Sequence, residues 1–160
     1  MTAEYNGRLI VTDSFDVSFE KERLSGLEFA QTVISFLKEN FKGAIEIKRG
    51  ELPLGSIRVA AEGFAYFLKL LLREVMGEGN VKAALRAEAG RMIFEIKCPK
   101  RSYSVDGILY YAEKSGFGVS EADEGLITLS IPVTPEKVKT IYAISPSILR
   151  STLVRIILNA

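Results

Sequence analysis

Histidine is absent from the chain. Its absence removes a phospho-accepting histidine, the Ser-His-Asp and Cys-His arrangements, and every histidine-ligated metal site. A single cysteine, Cys98, permits no internal disulfide and suits a reducing compartment, so a cytoplasmic location is expected. No long hydrophobic run occurs. The densest, Phe64 to Met76, is interrupted by Lys69, Arg73 and Glu74 and falls well short of the ~20 residues that cross a bilayer, so no membrane contact is expected. The first residues, MTAEYNGRLIVTDS, lack the basic and then apolar pattern of a secretory leader. Charge of one sign is lacking too. The chain has 21 Lys and Arg against 20 Asp and Glu, a net charge of +1, which disfavours a globally basic nucleic-acid binder. Internal repeats and Pro/Gly/Ser-rich linkers are also missing.

What remains is ordinary globular material: 160 residues, 48% apolar and 26% charged. That is one domain's worth, large enough to bury roughly 70% of its unfolded surface without a metal or disulfide staple. The domain is expected over residues 1–134. A C-terminal helical extension, 135–160, would pack on the same domain or at an interface.

Alternation and helical spacing divide the chain further. Arg8 to Thr12 reads as a short strand. Ser25, followed three residues later by Glu28, reads as a capping box opening an amphipathic helix that Gly43 closes. Ala44 to Lys48 alternates as a strand. A second helix is predicted from Ser56 to about Met76, apolar over most of its circumference and so buried on several sides. Asn80 to Glu88 and Arg91 to Lys97 read as a hairpin turning at Ala89-Gly90. Ser104 to Ser115 reads as a third helix, Phe117 to Val119 as a short strand, and Leu126 to Ile131 as a strand ended by Pro132. Pro135 to Tyr142 reads as a short helical turn, and Ser147 to Leu158 as a last helix. This order gives an α/β (α+β) two-layer sandwich: a mixed, mostly antiparallel sheet with helices on one face.

Three segments carry a family resemblance: LGSIRVAAEGFAYFLKLLLREVM (Leu54 to Met76), NVKAALRAEAGRMIFEIKC (Asn80 to Cys98) and GILYYAEKSGFGVSEADEGLITLSIPV (Gly107 to Val133). In order and spacing they resemble the ATP-binding domain of histidine kinases and their relatives, the Bergerat or GHKL ATPase fold, from about Phe15 to Val133. The resemblance implies a helix, here Leu54 to Met76, whose N box presents asparagines or acids to a Mg²⁺-bound triphosphate. The matching positions are Lys69 and Arg73, and a cation cannot ligate Mg²⁺. It also implies an Asp-x-Gly-x-Gly run after the second hairpin strand, for the adenine amino group and a flexible turn. Here Cys98 falls at the aspartate position, and Pro99, Lys100, Arg101 and Ser102 replace the glycines. The long lid and its second glycine cluster are missing. ATP with Mg²⁺ is therefore not expected to bind, no cofactor is expected, and the resemblance implies a degenerate ATPase.

Candidate sites have two readings each. Lys69 and Arg73 share one helix face, either as an anion-binding pair that meets phosphate directly or as the charged edge of a buried helix, the plainer reading. Lys97, Lys100 and Arg101, beside Tyr103, form either a phosphate contact or an ordinary charged loop, again the plainer reading. Cys98 lacks a histidine base and reads as a small strand-end residue rather than a nucleophile. Glu121, Asp123 and Glu124 read as hairpin residues rather than cation ligands, and Gly116-Phe117-Gly118 as a helix end. The ligand-binding candidates are thus Lys69, Arg73, Lys97, Lys100 and Arg101, with no catalytic residue and no metal ligand. The apolar stripe of Ser147–Leu158 covers either the domain's own core or a protein partner, a second copy included. The function expected is a non-catalytic signalling, scaffold or ligand-binding module; the alternative is a divergent phosphotransferase or ATPase that uses Lys69 and Arg73 on phosphates.

Overall fold

The computed structural model describes residues 2–5, 8–11, 17–75, 81–97, 106–122, 126–135 and 142–158. In chain order the elements are β1 (Thr2–Tyr5), β2 (Arg8–Val11), β3 (Glu22–Ser25), α1 (Gly26–Asn40), β4 (Ile45–Arg49), β5 (Ser56–Val59), α2 (Ala61–Val75), β6 (Val81–Glu88), β7 (Arg91–Lys97), α3 (Asp106–Ser115), β8 (Gly118–Ala122), β9 (Leu126–Pro132) and α4 (Pro146–Leu153), which runs into a π-helical turn, Val154–Leu158.

Five strands form the main sheet in the order β4-β6-β7-β9-β8. β4 runs parallel to β6 and every other pair is antiparallel. β1 and β2 make one small antiparallel pair, β3 and β5 another. A bridge between Ser56 and Thr134, with N–H···O distances of 2.8 Å in both directions, ties the second pair to the end of β9. The period-2 pattern places Ala83, Leu85, Met92, Phe94, Ile96, Ile127, Leu129 and Ile131 on the buried face of the sheet. α1, α2 and α3 cover that face, as the sequence implied.

The start of α1 follows its cap. The Ser25 hydroxyl accepts from the Glu28 N–H at 3.2 Å, and Phe29, Ala30, Val33, Phe36 and Leu37 form its buried face. α2 is buried on nearly every side because α3, α4 and the π-helical turn all pack against it. Its crossing with α3 is close: a Cβ on Gly63 would overlap the Ser115 hydroxyl.

Several boundaries differ from the sequence expectation. Ser56 does not open α2. Ser56–Val59 is a strand paired with β3, Ile57 opposite Leu24, and the helix starts at Ala61. The β-branched Ile57 and Val59 alternate inward around exposed Arg58, which suits a pleated edge better than a helix turn. The last helix starts at Pro146, capped by Ser145, whose hydroxyl accepts from the Ile148 N–H at 3.4 Å. Proline at the first helical position needs no N–H partner. β8 is also longer than the three residues expected, and β3 carried too short a pattern to be read. The expected turn over 135–142 lies mostly outside the described residues.

Leu149, Leu153 and Ile156 of the C-terminal helix are buried against α1 and α2. Ion pairs of Arg150 with Glu39 and of Arg155 with Glu62, the latter at 3.4 Å, border that contact. Among the described residues no helix is long and apolar enough to cross a membrane.

Candidate functional site

The candidates from sequence divide between the two faces of the sheet. Lys69 and Arg73 lie on α2, in the helical layer. Lys69 follows Tyr66 by one turn, and the Tyr66 ring packs on Tyr111 of α3 with centroids 4.7 Å apart. Lys69 is only 7% exposed and is engaged by another group. A buried ammonium requires such engagement, because desolvation disfavours an isolated charge. Arg73, a turn further on, is exposed in the last turn of α2. An ammonium and a guanidinium in consecutive turns can donate hydrogen bonds to an oxyanion and offer no lone pair to a metal.

Lys97 stands elsewhere. Ile96 and Phe94 point into the core, so the alternation of β7 turns Lys97, with Glu95 and Ile93, to the outer face. There it lines a concavity of about 200 Å³ together with Glu46, Lys48, Lys82 and Leu126. Lys97 is therefore not brought together with Lys69 and Arg73. Glu95, on the same face, is held by Arg86 at 2.8 Å, and this hydrogen-bonded pairing raises the Arg86 pKa above its ordinary value. Lys100, Arg101, Cys98 and Tyr103 lie outside the described residues, as do Asp123 and Glu124. Glu121 belongs to β8 rather than to a turn. Gly116 does end α3, with φ of 96° and its N–H on the Ala112 and Glu113 carbonyls.

The sequence reading missed the outer-face cluster as a cluster. Its signal was parity: Lys82 and Lys97 are each out of phase with the apolar positions of their strands, as are Glu46 and Lys48 on β4.

A β4-β6-β7-β9-β8 sheet covered on one face by α1, α2 and α3 defines an α/β sandwich of the histidine-kinase ATPase type. Among solved structures the chain is similar to the histidine kinase AdeS of Acinetobacter baumannii, at 11% identity and a TM-score of 0.51, over 74% of this chain and 69% of that one. It is also similar to the catalytic domain of the histidine kinase ThkA, at 12% identity and a TM-score of 0.47, over 73% and 99% of the two chains. The histidine kinase domain of the E. coli osmosensor EnvZ follows at 11% identity and a TM-score of 0.37, over 81% and 98%. AdeS carries the fold assignment, and at that identity the likeness is one of fold. No family model and no curated protein matches the chain.

Proposed function

We propose that this chain is a non-catalytic module built on a histidine-kinase-like ATPase fold, acting by binding rather than by nucleotide hydrolysis. The observation that carries this reading is the pair of cations on α2. The family resemblance implies a magnesium nucleotide held by oxygen donors at the positions of Lys69 and Arg73. Those donors are replaced by an ammonium, itself buried and engaged, and a guanidinium. A positive charge at a metal-ligand position repels Mg²⁺ as well as failing to bind it. The residues of α2 therefore do not fit the magnesium nucleotide.

The test is a thermal melt of the chain with ATP, with and without Mg²⁺. A binder with a dissociation constant of about 10 μM would be stabilised by about 2.7 kcal/mol at 1 mM ligand. For a chain of this size that is a rise of about 5–10 °C. The expected result is no Mg²⁺-dependent rise, and a clear one removes the proposal.

The same two cations favour a second reading, a phosphotransferase or ATPase that clamps phosphate oxygens directly without a metal. It requires nucleotide turnover that Lys69→Ala abolishes while the melting transition stays cooperative. Absence of turnover for every nucleotide tried leaves the non-catalytic reading standing.

A further inference from the structure

The outer face of the main sheet carries a feature independent of α2. Cross-strand partners there fall into rows. In one row Glu46 stands beside Lys82, Lys82 directly opposite Lys97, and Lys97 beside Leu126. Two lysines opposite each other on antiparallel strands repel, so this pairing weakens the sheet. In the next row Lys48 stands beside Ala84, and Ala84 opposite Glu95. Glu95 is already held by Arg86 at 2.8 Å. Among the described residues, Lys48, Lys82 and Lys97 take part in no ion pair. Three cations and two carboxylates, Glu46 and the Arg86-paired Glu95, thus line a concavity of about 200 Å³, and Ala84 and Leu126 supply its apolar part.

We propose that this concavity binds a small oxyanion ligand, a phosphate or carboxylate carried on a compact apolar group. Lys82 and Lys97 straddle the anion, which converts their mutual repulsion into two charge-assisted hydrogen bonds. Lys48 adds its charge from the neighbouring row, and the apolar part rests on Ala84 and Leu126. A small ligand fits better than a protein partner. A specific protein interface takes about 800 Å² per side and large buried anchors. Among the described residues, the exposed large apolar side chains, Leu54, Ile148, Val154 and Leu158, belong to none of these strands. The neighbouring polar groups of this face are paired among themselves, Arg86 with Glu88 and Glu95, and Arg91 with Ser130.

The experiment is an amide NMR titration of the full chain with phenyl phosphate and, separately, with benzoate, which tells the two oxyanions apart. Saturable shifts at residues 46–48, 82–84, 95–97 and 126 with either compound support the site. The double substitution Lys82→Ala with Lys97→Ala weakens that binding about tenfold, and it does not lower the melting temperature, because a repulsive pair is removed. Lys69→Ala leaves the shifts unchanged, which separates this site from the fate of the α2 reading. The proposal is overturned by the absence of saturable shifts up to about 10 mM of both compounds, by shifts centred on α2, or by binding that survives the double substitution. Binding of poly-glutamate at this face without binding of either small compound also overturns it, in favour of an acidic protein partner.

Discussion

Ala89 turns the β6–β7 hairpin with φ of 48°, and Gly90 follows at 75°. Two consecutive left-handed residues make the turn that matches the twist of the strands, and asparagine or glycine suits the first position better than alanine. A Cβ-bearing residue pays about 1–2 kcal/mol for that conformation, asparagine less because its short polar side chain bonds locally. Ala89→Asn is expected to stabilise the chain by about 0.5–1 kcal/mol, read as a rise in melting temperature of about 1–4 °C. A fall would mean that the turn is not left-handed at this residue. Gly63 is the opposite case. Alanine there would gain helix propensity, but its Cβ would press on the Ser115 hydroxyl, which donates to the Tyr111 carbonyl at 2.6 Å, and on the Phe19 ring. Gly63→Ala is expected to cost about 1–3 kcal/mol by denaturant unfolding. Ser115→Ala in that background should restore part of the loss; no recovery would place the clash elsewhere. Parity was legible only in part: inward Phe94 and Ile96 put Glu95 and Lys97 outward, but the adjacent apolar pair Ile93-Phe94 reads equally as a strand covered on both faces, and only the fold shows Ile93 on the outer side. The burial of Lys69 was not, because a lysine on an apolar helix reads the same whether its ammonium reaches water or a partner.

Elements announced themselves in proportion to their length and their punctuation. α1 was legible because Ser25 and Glu28 cap it and Gly43 follows it, and the β6–β7 hairpin because two long alternations flank Ala89-Gly90. β3 and β5 were not, because each has only 4 residues and their partners are distant in the chain. Ile57 and Val59 also match the apolar spacing of the helix that follows, so only tertiary pairing with β3 decides for strand. The C-terminal helix was legible as an amphipathic stripe, but a stripe does not say what it covers. Here Leu153 is fully buried against α1 and α2, whereas Ile148, on the same helix, is 54% exposed. Leu153→Ala is expected to cost about 2–5 kcal/mol and Ile148→Ala about 0.5 kcal/mol or less. Guanidinium unfolding of the two variants side by side checks the contrast. Equal costs would mean that the helix does not pack on α1 and α2 in solution.

At the scale of the molecule, the missing histidine has a consequence for folding as well as for chemistry. Stability changes with pH only where the folded and unfolded chains bind different numbers of protons. Histidine is the side chain whose ordinary pKa places that difference between about pH 5 and 8, and this chain has none. Its unfolding free energy is therefore expected to stay within about 1 kcal/mol from pH 5.5 to 7.5, measured by urea denaturation at constant ionic strength. The sign of any departure is diagnostic. Stability that falls as pH rises through this window requires a group whose pKa is raised on folding, such as a carboxyl held protonated in the folded chain. Stability that rises requires a group whose pKa is depressed on folding, and its unfolded pKa must itself lie in or above the window, which excludes a carboxylate. A flat profile leaves the balance of 21 basic and 20 acidic residues to act through surface pairs, which salt weakens and which a change between pH 5.5 and 7.5 leaves in place.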